Sequence, residues 1–118
     1  MSRVPVNGVN LNVKVTGSGP PVLALHGFTG NLSTWMKFAN EAQSEYTIAL
    51  VDLLGHGASD CPDDPRRYGI EHCVADLVAI LDHLGLDRAC WLGYSMGGRI
   101  ALMAATLVLE RCTEIGRA

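Results

Sequence analysis

The 118 residues and net charge of −3 leave room for one domain and provide no basic surface for nucleic acid or an anionic membrane. An apolar share of 48% excludes a disordered chain and describes a protein with a real but modest core. No apolar run approaches the roughly 20 residues of a membrane span, and the opening Met1-Ser2-Arg3-Val4-Pro5 carries no signal-like apolar stretch, so a cytoplasmic protein is expected.

The first elements are Val4 to Val6 and Asn10 to Thr16, two short runs with β-branched residues on either side of Asn7-Gly8. That dipeptide favours a hairpin because a type I′ turn needs positive φ at both central positions. Gly17-Ser18-Gly19-Pro20-Pro21 then breaks the chain before Val22-Leu23-Ala24-Leu25, a buried strand that ends at His26-Gly27. Asn31 or Ser33 caps a short helix running to about Asn40. Tyr46 to Val51 is the next buried strand, followed by a loop from Leu53 to Pro65.

The strongest helical pattern comes next. Ile70, Cys73, Val74, Leu77, Val78, Leu81 and Leu84 recur at three- and four-residue spacing, with Glu71, Asp76, Asp82 and His83 off that stripe and Gly85 placed to end the helix. Cys90 to Leu92 form a short strand, and a helix begins near Met96. The segment Thr106-Leu107-Val108-Leu109-Glu110 either extends that helix or forms a further strand; its apolar character lets no period decide, and helix is favoured. Apolar strands alternating with helices predict a single α/β domain: a mostly parallel sheet of about five strands, with an antiparallel hairpin at its start and helices on both faces.

Cys61, Cys73, Cys90 and Cys112 show neither Cys-x-x-Cys spacing nor grouping with the four histidines, so reduced thiols are expected and no metal or other cofactor is indicated. The chemistry concentrates at Gly93-Tyr94-Ser95-Met96-Gly97, a serine between a strand and a helix with small residues two positions to either side. Such a turn forces the serine into a strained backbone conformation and lifts its Oγ clear at a helix N-terminus, where N–H groups favour developing negative charge. A glycine-rich turn that merely starts a helix would look the same, since Gly-x-Ser-x-Gly alone is weak. Two further segments follow strands at the same rim: His26-Gly27-Phe28-Thr29-Gly30 and Asp52-Leu53-Leu54-Gly55-His56-Gly57-Ala58-Ser59.

With these three motifs in order, the chain from Val4 to about Ala105 resembles the α/β-hydrolase superfamily, and within it the branch of 2-succinyl-6-hydroxy-2,4-cyclohexadiene-1-carboxylate synthases. The resemblance implies that Ser95 is the nucleophile, that Phe28 and Met96 supply oxyanion N–H groups, and that Arg99 binds an anionic group of a small-molecule substrate. Arg99 reads equally well as a solvated helix arginine. Of the histidines, His26 reads as a brace for its loop, and His72 and His83 as surface residues of the amphipathic helix. His56 is the least unsuitable base.

In that family the acid and histidine of the triad follow the serine, yet residues 96–118 contain neither His nor Asp. The expectation is therefore a domain truncated relative to the family, lacking its C-terminal strands, cap, and triad acid and histidine. The elbow strand would then be an open sheet edge beside a very apolar helix, which predicts a homodimer through that edge and the C-terminal helix. Two functions follow: a serine-dependent enzyme acting on small esters, or eliminating from a small carboxylated substrate, and an inactive half-domain that folds and self-associates.

Overall fold

A computed structural model describes residues 2–117. Strand β1 (Ser2–Val6) turns at Asn7-Gly8 into β2 (Val9–Gly17), pairing Val6 with Val9. Asn7 and Gly8 lie at φ +46° and +86°, the two positive values that this tight turn demands. Strand β3 (Pro21–Leu25) leads into a one-turn 3-10 helix, Leu32–Trp35, capped by Asn31, whose side chain accepts the Ser33 N–H. Helix α1 (Met36–Ala42) and strand β4 (Thr47–Val51) follow.

After the β4 loop and a second 3-10 turn, Pro65–Tyr68, come helix α2 (Ile70–His83), strand β5 (Ala89–Gly93) and helix α3 (Met96–Leu107). The chain closes with a 3-10 turn at Leu109–Arg111 and strand β6 (Cys112–Arg117).

The sheet has six strands in the order β1-β2-β4-β3-β5-β6. Pairs β1/β2 and β2/β4 are antiparallel, and β4/β3, β3/β5 and β5/β6 are parallel. Alternation along the central strands feeds two cores. Leu23, Leu25, Ala49, Val51 and Trp91 pack with Leu77, Leu81, Ile100 and Ala104 of α2 and α3, whereas Ala24, Ile48 and Leu50 pack under Ala39 of α1. Both faces of the parallel strands are therefore covered, as their continuous apolar character requires.

The mostly parallel sheet read as about five strands has six, because α3 returns the chain as β6 beside β5 in the usual strand–helix–strand crossover. Residues 106–110 are neither continuous helix nor strand: α3 stops at Leu107, Val108 breaks from helical geometry at φ −140°, and β6 begins later.

The elbow strand is consequently not an open edge. Strand β6 occupies the side through which the dimer was expected to form, and β6 itself is the outer strand. Asp76, expected off the apolar stripe, is instead buried. Its carboxylate accepts two hydrogen bonds from Arg67, at 2.7 and 2.9 Å, and one from Asn7 Nδ2 at 3.0 Å. It thereby ties α2 to the hairpin turn and to the preceding 3-10 turn.

Candidate active site

Strands β4, β3 and β5 lie side by side and parallel, so the loops that leave their C-terminal ends gather on one rim. At the end of β5, Ser95 takes φ +54° and ψ −109°, a conformation that L side chains rarely adopt, and serves as the N-cap of α3. The flanking glycines are required by contact. A Cβ on Gly93 would collide with the Gly97 carbonyl, and one on Gly97 would collide with the Leu25 carbonyl and lie 2.7 Å from that of His26. The Tyr94 N–H also donates to Leu25 O at 3.0 Å, so the turn is seated directly on the end of β3. Ser95 is exposed, and among the described residues its Oγ has no hydrogen-bond partner.

The loop after β3 runs from His26 to Leu32. His26 is fully buried; its Nδ1–H donates to Gly27 O at 2.7 Å and its Nε2 accepts the Leu53 N–H at 3.0 Å. Burial holds this imidazole below its ordinary value of 6.5, which matches the neutral tautomer that accepts at Nε2. His26 thus braces the loop, as its position at a strand end suggests. Gly27 lies against Tyr94, and Phe28 beyond it is exposed. Among the described residues no backbone hydrogen bond engages the N–H of Phe28 or of Met96.

His56 sits on the loop after β4, with Nδ1 donating to Leu54 O at 3.0 Å and its ring against those of His26 and Phe28. Among the described residues no hydrogen bond joins it to Ser95. Strand β3 lies between β4 and β5, so the two loops start about 9.5 Å apart, two strand spacings. His72 and His83 are exposed on α2. Arg99 is exposed one helical turn beyond Ser95 and has no ion pair among the described residues. With Tyr68, Ile70, Cys73, Met96 and Ile100 it lines a cleft of about 200 Å³. Among the described residues no three His, Cys, Asp or Glu side chains are grouped to hold a metal.

Sequence reasoning missed the part played by Asp52. Its buried carboxylate accepts the Leu32 N–H at 2.6 Å, the Ala58 N–H at 2.9 Å and Asn12 Nδ2 at 3.0 Å. Gly57, at φ +52°, packs so closely on this carboxylate that a Cβ there would lie 2.6 Å from Oδ1. The available signal was the run Asp52 to Ser59, whose glycines let the loop wrap its own first residue.

A family model described as alpha/beta hydrolase fold matches residues 20–115. The chain is 39% identical over 94 residues to a putative 2-succinyl-6-hydroxy-2,4-cyclohexadiene-1-carboxylate synthase of Bacillus subtilis (strain 168), covering 80% of this chain and 34% of that protein. It is 37% identical over 101 residues to epoxide hydrolase 2 of Siraitia grosvenorii, covering 85% and 32%. The crystal structure of epoxide hydrolase VrEH1 from Vigna radiata superposes with a TM-score of 0.95 at 29% identity, over 98% of this chain and 38% of that one. The chain spans about a third of the length of the curated relatives it matches.

Proposed function

The chain belongs to the alpha/beta hydrolase fold family, and on that footing we propose that it carries the nucleophile half of a serine-dependent hydrolase acting on small esters. The observation that supports this reading is Ser95 itself, at φ +54° on the turn between β5 and α3, exposed and with an Oγ that no described residue hydrogen-bonds. Its Oγ attacks the ester carbonyl carbon, and the carbonyl electron pair moves onto oxygen. That oxyanion is received by the N–H groups of Phe28 and Met96, which have no protein acceptor among the described residues. Collapse expels the alcohol and leaves an acyl-serine, which water then hydrolyses.

The residue at the elbow also bears on substrate. The relatives named as epoxide hydrolases and a dehalogenase act on carbon centres that are not acyl groups. Attack on such a carbon by a serine leaves an ether, with no carbonyl for water to open. An acyl-serine has one, so Ser95 favours acyl substrates. Arg99 holds an anionic group of the substrate in the adjoining cleft. The narrower reading, elimination from a small carboxylated substrate, uses the same residues.

The proton of Ser95 needs an acceptor, and no described residue hydrogen-bonds its Oγ. Without one, oxyanion stabilisation and binding alone still support about 10³–10⁴-fold catalysis over water. Unpaired cysteines at 61, 73, 90 and 112 fit a reducing, cytoplasmic setting, and no described helix is long and apolar enough to cross a membrane. The test is turnover of an activated short-chain ester by wild type and Ser95→Ala. A rate that collapses in the variant supports the reading; equal rates leave a folded but inert half-domain.

A further inference from the structure

The loop that carries Phe28 is held at both ends by two consecutive residues just after β4, Asp52 and Leu53. At its start, the Leu53 N–H donates to His26 Nε2 at 3.0 Å. At its finish, the Leu32 N–H donates to Asp52 Oδ1 at 2.6 Å. Between them the loop closes on itself through Gly30 N–H to Gly27 O, at 3.0 Å, with Thr29 at φ +66°. Asp52 is in turn fixed from β2 and from its own loop. Asn12 Nδ2 and the Ala58 N–H share Oδ2, the Asp52 N–H donates to Asn12 O at 2.9 Å, and the Ser59 hydroxyl donates to Asp52 O at 2.5 Å.

From this arrangement we propose that Asp52 is a positioning residue for the oxyanion hole. It anchors the far end of the 26–32 loop so that the Phe28 N–H keeps its place beside the elbow, against which Gly27 packs at Tyr94. The proposal rests on the serine reading above. All three hydrogen-bond partners of the Asp52 carboxylate are donors, two backbone N–H groups and the Asn12 amide, so the function requires acceptors at both oxygens. An amide in its place accepts from Leu32 but turns an N–H toward Ala58 N and Asn12 Nδ2, pushing the clamp open.

The experiment compares wild type, Asp52→Asn and Asp76→Asn in two measurements. The control removes a buried carboxylate of α2 that holds Arg67 and Asn7 and has no hydrogen bond to either rim loop among the described residues. Ser95 is labelled with a fluorophosphonate: the Oγ–P bond forms, the P–F bond breaks, fluoride leaves and the hydroxyl proton passes to buffer. Backbone amide hydrogen exchange is followed on the same proteins.

Asp52→Asn is expected to slow labelling by about ten- to a hundredfold, the range for a displaced oxyanion donor, and to speed exchange at Gly27 to Leu32. Asp76→Asn is expected to change neither. If wild type itself is not labelled at Ser95, the serine reading falls, while the exchange comparison still decides the clamp. Should Asp52→Asn fail to fold, Asn12→Ala removes one donor from the same oxygen and is expected to shift exchange at the same amides by less. Exchange at Gly27 to Leu32 that is unchanged, or that rises equally in Asp76→Asn, overturns the proposal.

Discussion

Gly97 and Leu25 meet backbone to backbone: the α position of Gly97 faces the Leu25 carbonyl with no room for a single methyl group. The contact seats the serine turn on the end of β3, where the Phe28 loop begins. It predicts that Gly97→Ala is destabilised by about 1–3 kcal/mol, since neither backbone can rotate aside, and that Ser95 loses its reactivity with it. Gly85→Ala is the comparison. At φ +72° with nothing within 4 Å, it should lose only the conformational penalty of about 1 kcal/mol. Urea melts of both variants measure the difference, and equal losses would contradict the contact argument.

A second prediction concerns the ion pair between buried Asp76 of α2 and Arg67 of the preceding 3-10 turn. Removing one partner strands the other, so Asp76→Ala should lose about 3–5 kcal/mol. The double replacement Arg67→Met with Asp76→Leu should lose clearly less than the single one, because no buried charge is left alone. Denaturant midpoints decide between these outcomes, and a double variant worse than Asp76→Ala would refute the account.

The pH dependence follows from His26. Burial lowers its folded pKa below the unfolded 6.5, so the unfolded chain binds the extra proton first. Stability from this group is therefore complete above about pH 6.5 and falls as pH drops below it, when protonation at Nε2 also breaks the Leu53 bond. His26→Gln should be less stable at pH 8 but flatter between pH about 7 and about 5. The carboxyls of Asp60 and Asp64 act in a separate window. The Asn10 N–H and Arg3 lower the first, and the Arg66 side chain and N–H the second, so what they contribute is lost as pH falls through 3.8 and below.

Arg99 gives a kinetic prediction. Arg99→Met should raise KM for a short ester bearing a carboxylate by about tenfold or more and leave a neutral ester of the same size unaffected. An equal loss on both substrates would make Arg99 structural.

The elements that were legible in the sequence carry their cause locally. Asn7-Gly8 needs positive φ at its own two residues, and Gly93 and Gly97 meet each other across one turn. Strand β6 was not legible, because Cys112-Thr113-Glu114-Ile115-Gly116-Arg117 has no apolar alternation strong enough to announce a strand. It pairs because α3 delivers it to β5. The burial of Asp76 depends on Arg67 and on Asn7, 69 residues away. The hub at Asp52 likewise depends on donors from three separate segments, at Asn12, Leu32 and Ala58. The serine was visible at once, whereas the residues that hold its surroundings were not.

The central claim is that Ser95 is a nucleophile. Its most direct test is to mix the protein with an activated ester whose acyl group leaves slowly, quench in acid, and map the modified peptide by mass spectrometry. The account predicts one acyl group, on Ser95, and none in Ser95→Ala. Acylation that persists in the variant, or a wild-type chain that turns the ester over with Ser95 unmodified, would contradict it.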